Sequence, residues 1–174
     1  MNKKTLITNA KILIREEGVL KIIDGSLTIK DGKIEKIING ESALISGYHD
    51  YESVDAKGKL VMPGLINLHT HLYMTCMRNY ADDLPFSDWL FKKIMPVEET
   101  FSHELAYLSA MLGAIEMIET GTTTFMDMHM FKGVSCRVAK ESGLRAIIGR
   151  SVVGEDLYGD GLSRLNEALE EQQE

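Results

Sequence analysis

The sequence predicts an α/β protein, with a small β module over residues 1–61 followed over 62–174 by strands that alternate with helices. Three observations carry this. Asp31–Gly32 lies between two alternating apolar runs, and a two-residue type I′ hairpin turn needs positive φ at both positions, which Asp and Gly tolerate. Leu105, Leu108, Leu112 and Ile115 recur at helical spacing between a capping Ser102 and Gly121. The β-branched and apolar run Thr122–Met128 and the apolar run Leu144–Val153 are separated by a short helix pattern, Val134–Ser142, that Gly143 closes. Alternation of this kind implies parallel strands joined by crossover helices.

Taken in order, the β module reads as Thr5–Ile14, Ser26–Lys30, Lys33–Ile38 and Ser53–Val61, with a polar surface loop from Ile38 to Tyr51. Val61–His71 is an apolar run opened by Pro63–Gly64 and ending in polar residues. An irregular segment and a helix near Ser87–Ile94 follow, then the amphipathic helix capped by Ser102, whose second apolar row is Met111, Ala114 and Ile118. Met111, Met117, Met126 and Met128 read as core filling. A last, polar helix covers Ser163–Gln173. A closed (β/α)8 barrel takes about 250 residues, so 62–174 has room for roughly three β/α units. The chain is therefore either a small open α/β domain or part of a barrel.

With 174 residues, 44% hydrophobic and 26% charged, the composition is that of a folded globular protein. A formal charge of −7 argues against the basic footprint of nucleic-acid or anionic-membrane binding and favours a small-molecule partner. Cys76 and Cys136 form no CxxC pair, so reduced thiols are expected. The N-terminal apolar stretch is broken by Asn9, Lys11 and Arg15, unlike a signal peptide, and no segment has the roughly 20 apolar residues of a membrane span. A cytoplasmic location is the expectation. An exposed parallel strand edge favours association with a second copy.

The most informative string is Val61-Met-Pro-Gly-Leu-Ile-Asn-Leu-His-Thr-His71. Alternate side chains of a strand share a face, so His69 and His71 point the same way, with Asn67. Two imidazoles about 7 Å apart along a strand rising roughly 3.3 Å per residue converge on one ion if the strand end twists. The C-terminal end of a parallel strand is where α/β barrels build their active sites.

KLVMPGLINLHTH, MTCMRNYADDLPFSDWLFKKIMPVE and GTTTFMDM, in that order and with few gaps, resemble the N-terminal part of the metal-dependent amidohydrolases. The likeness is greatest to the branch that deaminates S-adenosylhomocysteine and 5′-methylthioadenosine, whose relatives include guanine deaminases and triazine chlorohydrolases. The resemblance implies part of a composite β-sandwich over 1–61 and the first part of a (β/α)8 barrel over 62–174. It implies one divalent ion, Zn2+, with His69 and His71 as its first-strand ligands, and hydrolytic deamination of a purine nucleoside by metal-activated water. Further histidine ligands, a glutamate acid/base and a last-strand aspartate belong to later strands in that family. His103 and His129 come too early to supply them, so the 174-residue chain is expected to be an inactive fragment with no catalytic residue of its own.

On the same resemblance Glu98 falls on a glutamate that binds ribose hydroxyls, and Arg150 and Arg164 fall on arginines that contact the substrate tail. Trp89 is placed to stack on or wall off the ligand. Each has a plainer reading: a solvated charge at a helix start for Glu98, structural ion pairs for the arginines and packing for Trp89. His129 reads as a surface or packing histidine, and Asp82–Asp83 as a solvated turn. Leu72 and Asn79 stand where the family commonly has a small residue and a glycine, at the pocket entrance, which bears on substrate more than on chemistry. A reading of another class is a catalytically silent binding or assembly module.

Overall fold

A computed structural model describes residues 4–40, 47–151 and 161–172. Part of the expected loop (41–46), the end of the expected strand Leu144–Val153 (152–153) and Gln173 lie outside the described residues. The chain divides into two compact units, Met1–Pro63 and Gly64–Glu174. The whole is a mixed α/β protein. Among the described residues no helix is long and apolar enough to cross a membrane.

The first unit is a five-stranded sheet of β1 (Lys4–Glu16), β2 (Val19–Lys30), β3 (Lys33–Asn39), β4 (Glu52–Asp55) and β5 (Leu60–Val61). Its order is β3-β2-β1-β4, with β5 also on β1. The hairpin at Asp31–Gly32 forms as its residues require, with φ of 51° and 73°. A second two-residue turn joins β1 to β2 at Glu17 (φ 49°) and Gly18 (φ 84°). It escapes sequence reading because glutamate is not a turn former. The strand expected over Ser53–Val61 is two strands, β4 and β5, interrupted where Gly58 takes φ 77°, and both pair parallel to β1. Ala10, Ile12, Leu27 and Ala56 form the core of this unit. Tyr51 Oη and Thr28 Oγ1 donate to Glu35 Oε2 at 2.7 and 3.1 Å. The phenol's hydrogen bond holds the Glu35 carboxyl below its ordinary range, and the same bond pushes the Tyr51 phenol up to about 12.

In the second unit β6 (Leu65–Thr70), β7 (Thr122–His129) and β8 (Arg145–Arg150) form a three-stranded parallel sheet in that order. Between β6 and β7 run a 3-10 turn (Leu72–Met77), α1 (Phe86–Trp89), a π-helical turn (Leu90–Ile94), α2 (Met95–Glu98) and α3 (His103–Glu119). α4 (Val134–Ser142) joins β7 to β8, and α5 (Gly161–Glu171) follows β8. The helix expected at Ser87–Ile94 is thus longer and interrupted. Pro96 has no N–H to donate to the carbonyl four residues back, and its ring crowds that carbonyl, so the backbone widens into a π turn ahead of it.

Helix α3 starts where Ser102 accepts from Leu105 N–H at 3.1 Å and stops before Gly121, at φ 86°. Its buried face corrects the amphipathic expectation. Ala106, Ser109, Ala110, Gly113 and Ala114 face inward, while Leu105, Leu108, Leu112 and Ile115 are 41–55% exposed. The reason is close approach: a Cβ on Gly113 would lie 2.7 Å from Thr75 Oγ1 and 2.9 Å from Leu72 Cδ2, so only small side chains admit the 3-10 turn against this helix. The core of the unit is Leu72, Tyr73, Ala106, Ala110, Ala114, Phe125, Val134 and Val138. Met111 and Met117 pack against it as expected, but Met126 is 43% exposed and fills no core space.

The Pro63–Gly64 opening of β6 also has a packing cause. A Cβ on Gly64 would sit 2.1 Å from Thr123 Oγ1 and 2.7 Å from Thr123 Cβ, a clash that rotation of the threonine cannot relieve. Gly64→Ala is expected to destabilise this unit by about 1–3 kcal/mol, as overpacking does. Urea unfolding followed by Trp89 fluorescence checks it, since Trp89 is the only tryptophan.

Candidate metal centre

β6 delivers both histidines to its carboxyl end. The strand stops at Thr70, and His71 caps the 3-10 turn with φ −134° and ψ 72°. Although His71 has left the strand, the two rings stay together, centroids 5.0 Å apart and edge to face at 88°. His69 is exposed and His71 half-buried. His69 N–H donates to Asn67 Oδ1 at 3.2 Å, a local bond that steadies the strand end. His71 Nδ1 lies 3.1 Å from the Met128 carbonyl. A carbonyl only accepts, so Nδ1 carries the proton and Nε2 keeps its lone pair in the neutral ring. That is the tautomer a metal-binding imidazole needs.

The backbone around His71 is held by Asp127, which is 1% exposed. Its Oδ1 accepts from Thr70 Oγ1 at 2.9 Å and Leu72 N at 3.0 Å, and its Oδ2 from Ser135 Oγ at 2.5 Å. Sequence reading passed over this aspartate because it lies in a β-branched, apolar run and has no partner nearby in the chain.

Two clefts meet at His71, one of about 340 Å³ that reaches Asn67 and Glu116 and one of about 360 Å³ that Trp89, Asn79 and Asp82 line. Trp89 thus shares a cleft wall with His71, and its ring also lies 6.0 Å from that of Phe86. Asn79 takes φ 62°, a left-handed conformation that asparagine tolerates better than most residues. Leu72 walls the first cleft but is 3% exposed and belongs to the core. Asp82 and Asp83 are exposed, with Asp83 at φ 60°, as a solvated turn should be.

Glu98 lines neither cleft; it is tied to the histidine segment through Tyr73, whose Oη donates to Glu98 Oε1 at 2.7 Å. Tyr73 is a buried link that no motif signals. Arg150 is 6% exposed and ion-paired to Glu167 and, at 3.8 Å, to Glu171 of α5, so the structure places it in the ion-pair setting named among the sequence alternatives. Its Nε and Nη1 are buried without a hydrogen-bond partner. Arg150 shares a separate cavity of about 330 Å³ with His129, Cys136 and Glu171. His129 is 1% exposed and its Nδ1 meets the Phe131 carbonyl at 2.8 Å, so it is a buried packing histidine and not a surface one. Arg164 lies on α5, and its side chain is outside the described residues. Among the described residues no group of three or more His, Cys, Asp and Glu is placed to hold a metal.

The fold and this site define an α/β protein that carries a histidine pair at the carboxyl end of a parallel strand. The model of the amidohydrolase family matches residues 60–173, and the chain belongs to that family. It is 40% identical over 168 residues to a 5-methylthioadenosine/S-adenosylhomocysteine deaminase of Halothermothrix orenii, covering 95% of this chain and 38% of the relative. It is 38% identical over 169 residues to a 5′-deoxyadenosine deaminase of Methanobrevibacter smithii, covering 94% of this chain and 37% of the relative. The solved adenosine deaminase from Xanthomonas campestris with bound zinc superposes with a TM-score of 0.76 at 25% identity, over 98% of this chain and 39% of that one. The chain therefore spans less than two-fifths of the length of these proteins.

Proposed function

We infer that this chain is the N-terminal part of a metal-dependent aminohydrolase that deaminates a purine nucleoside of the S-adenosylhomocysteine or 5′-methylthioadenosine type. In this reading 1–61 contributes part of a β-sandwich. Residues 62–174 form the first β/α units of a barrel, supported by the parallel order β6-β7-β8 with helices between. The observation that carries the reading is the histidine pair, with His71 held as the Nδ1–H tautomer by the Met128 carbonyl.

The residues fit a divalent ion, taken as Zn2+: His69 and His71 present imidazoles at ring-contact distance, and the His71 Nε2 lone pair is not consumed. Such an ion supplies Lewis acidity that brings the pKa of water towards neutrality. The chain's other residues bind and orient. Trp89 gives one cleft an aromatic wall, against which a base stacks. Glu98, oriented by Tyr73, accepts from ribose hydroxyls, because a carboxylate has about four lone-pair sites and the phenol uses one. Arg150 and Arg164 take the charged end of the substrate; the capacity that assignment draws on is the buried Nε and Nη1 of Arg150, neither of which makes a hydrogen bond although Nη1 is ion-paired to Glu171. With two ligands on the chain, the 174-residue piece binds metal without turnover.

The test is Glu98→Gln in the full-length polypeptide that carries this chain. Charge-assisted hydrogen bonds are worth about 1.5–3 kcal/mol, so kcat/KM for an adenosine-type nucleoside is expected to fall roughly ten- to hundredfold. Metal content and activity on the free base should not change. Equal losses on nucleoside and free base would place Glu98 at the base or in the architecture and remove ribose recognition from the reading.

A further inference from the structure

We propose that Asp127 is a positioning residue that sets the orientation of His71, a role that rests on reading the histidine pair as metal ligands. The sheet holds Thr70, which pairs with Asp127, but does not reach His71 itself. β6 ends at Thr70, its register with β7 is irregular between Asn67 and Thr70, and His71 lies beyond the ladder. Asp127 Oδ1 reaches the chain on both sides of His71: it accepts from Leu72 N at 3.0 Å and stands 2.9 Å from Thr70 Oγ1, whose one proton it shares with the Met126 carbonyl at the same distance, while the His71 carbonyl accepts from Met74 N at 2.9 Å. The other oxygen is anchored to α4 through Ser135 Oγ at 2.5 Å.

The next residue of β7 completes the arrangement. Met128 offers its carbonyl to His71 Nδ1 at 3.1 Å, so consecutive residues of one strand hold the histidine's chain neighbours and its ring. Packing alone does not ask for a carboxylate here. Phe125, two residues earlier and fully buried, meets the same core with an apolar side chain, whereas Asp127 is 1% exposed and a buried carboxylate is costly without donors. Its donors come from the residues bracketing His71 and from a helix behind them. A ligand whose ring and flanking residues are tied down binds metal without first being ordered, and ordering of that kind is what the outer-shell partners of metal-bound histidines supply.

The experiment uses the 174-residue chain, with 15N NMR of the His71 ring in metal-free protein and titration with Zn2+ alone. Wild type is expected to show the Nδ1–H tautomer. Asp127→Leu, with far-UV circular dichroism confirming the fold, is expected to give mixed tautomers and a zinc affinity about 10- to 100-fold lower. Asp127→Asn keeps an acceptor at Oδ1 and turns its amide towards the Ser135 hydroxyl, so it is expected to restore both readouts. Should Asp127→Leu not fold, Thr70→Val removes the bracketing hydroxyl, with its contacts to Asp127 and to the Met126 carbonyl, at a half-buried site without changing shape, and the same two readouts are expected to move in the same direction. Unchanged tautomer and affinity in a folded Asp127→Leu or Thr70→Val chain would overturn the proposal, as would an Asn variant as impaired as the Leu variant. A wild-type chain with the Nδ1–H tautomer that binds no zinc sinks the metal reading alone; the tautomer comparison still decides the role of Asp127.

Discussion

The double substitution His69→Ala/His71→Ala is expected to abolish specific zinc binding, lowering affinity by well over the roughly hundredfold ceiling seen when only an outer-shell partner is lost. Both rings sit at one strand end, 5.0 Å apart, and no group of three or more ligating side chains exists among the described residues to take the ion instead. The fold should survive the change. His69 is exposed, and His71 contributes one ring hydrogen bond, to the Met128 carbonyl, worth about 0.5–1.5 kcal/mol. Isothermal titration with zinc, alongside circular dichroism, checks both statements. Equal zinc affinity in wild type and double variant would remove His69 and His71 as ligands. The single variants refine the result, because the His71 ring is fixed by a hydrogen bond whereas His69 is held by a backbone bond and by its ring contact with His71, so His71→Ala should cost more than His69→Ala.

The largest stability effect is expected at Phe125. This ring is 0% exposed in the core formed with Ala106, Ala110, Val134 and Val138, where the facing helix residues are small and cannot move in to fill a void. Phe125→Ala is expected to cost about 3–5 kcal/mol, transfer and cavity contributions together. For a unit of this size that lowers the midpoint of thermal unfolding by about 10–25 °C. Trp89, the single tryptophan, lies in the same unit and reports the transition. A cost below about 1 kcal/mol, the level of a surface substitution, would mean that the core is organised around other contacts. The first unit has its own apolar centre at Ala10, Ile12, Leu27 and Ala56, and its strand signal in circular dichroism should persist after the second unit has melted.

Much of the architecture is written locally. Asp31–Gly32 closes a hairpin because those two residues tolerate positive φ, and Ser102 and Gly121 bound α3 because a hydroxyl caps one end and a left-handed glycine ends the other. The period-two spacing of His69 and His71 brings their rings together even though the strand gives out between them. These features depend on residues a few positions apart, so the chain states them before it folds.

What only the tertiary structure decided are the relations between distant residues. Hydrophobic periodicity marks two apolar rows on α3, but the covered face matches neither in full; the 3-10 turn selects the alanine and glycine face, because close approach is set by size, and leaves the leucine row and Ile118 exposed. Arg150 acquires carboxylates from α5, and Glu98 acquires the phenol of Tyr73, from separations of 17 and 25 residues. Asp127 meets Thr70 and Leu72 across more than 50 residues of intervening chain. A buried carboxylate needs donors wherever the fold can bring them, and which donors arrive depends on strand register and helix placement, quantities that no local pattern in the sequence encodes.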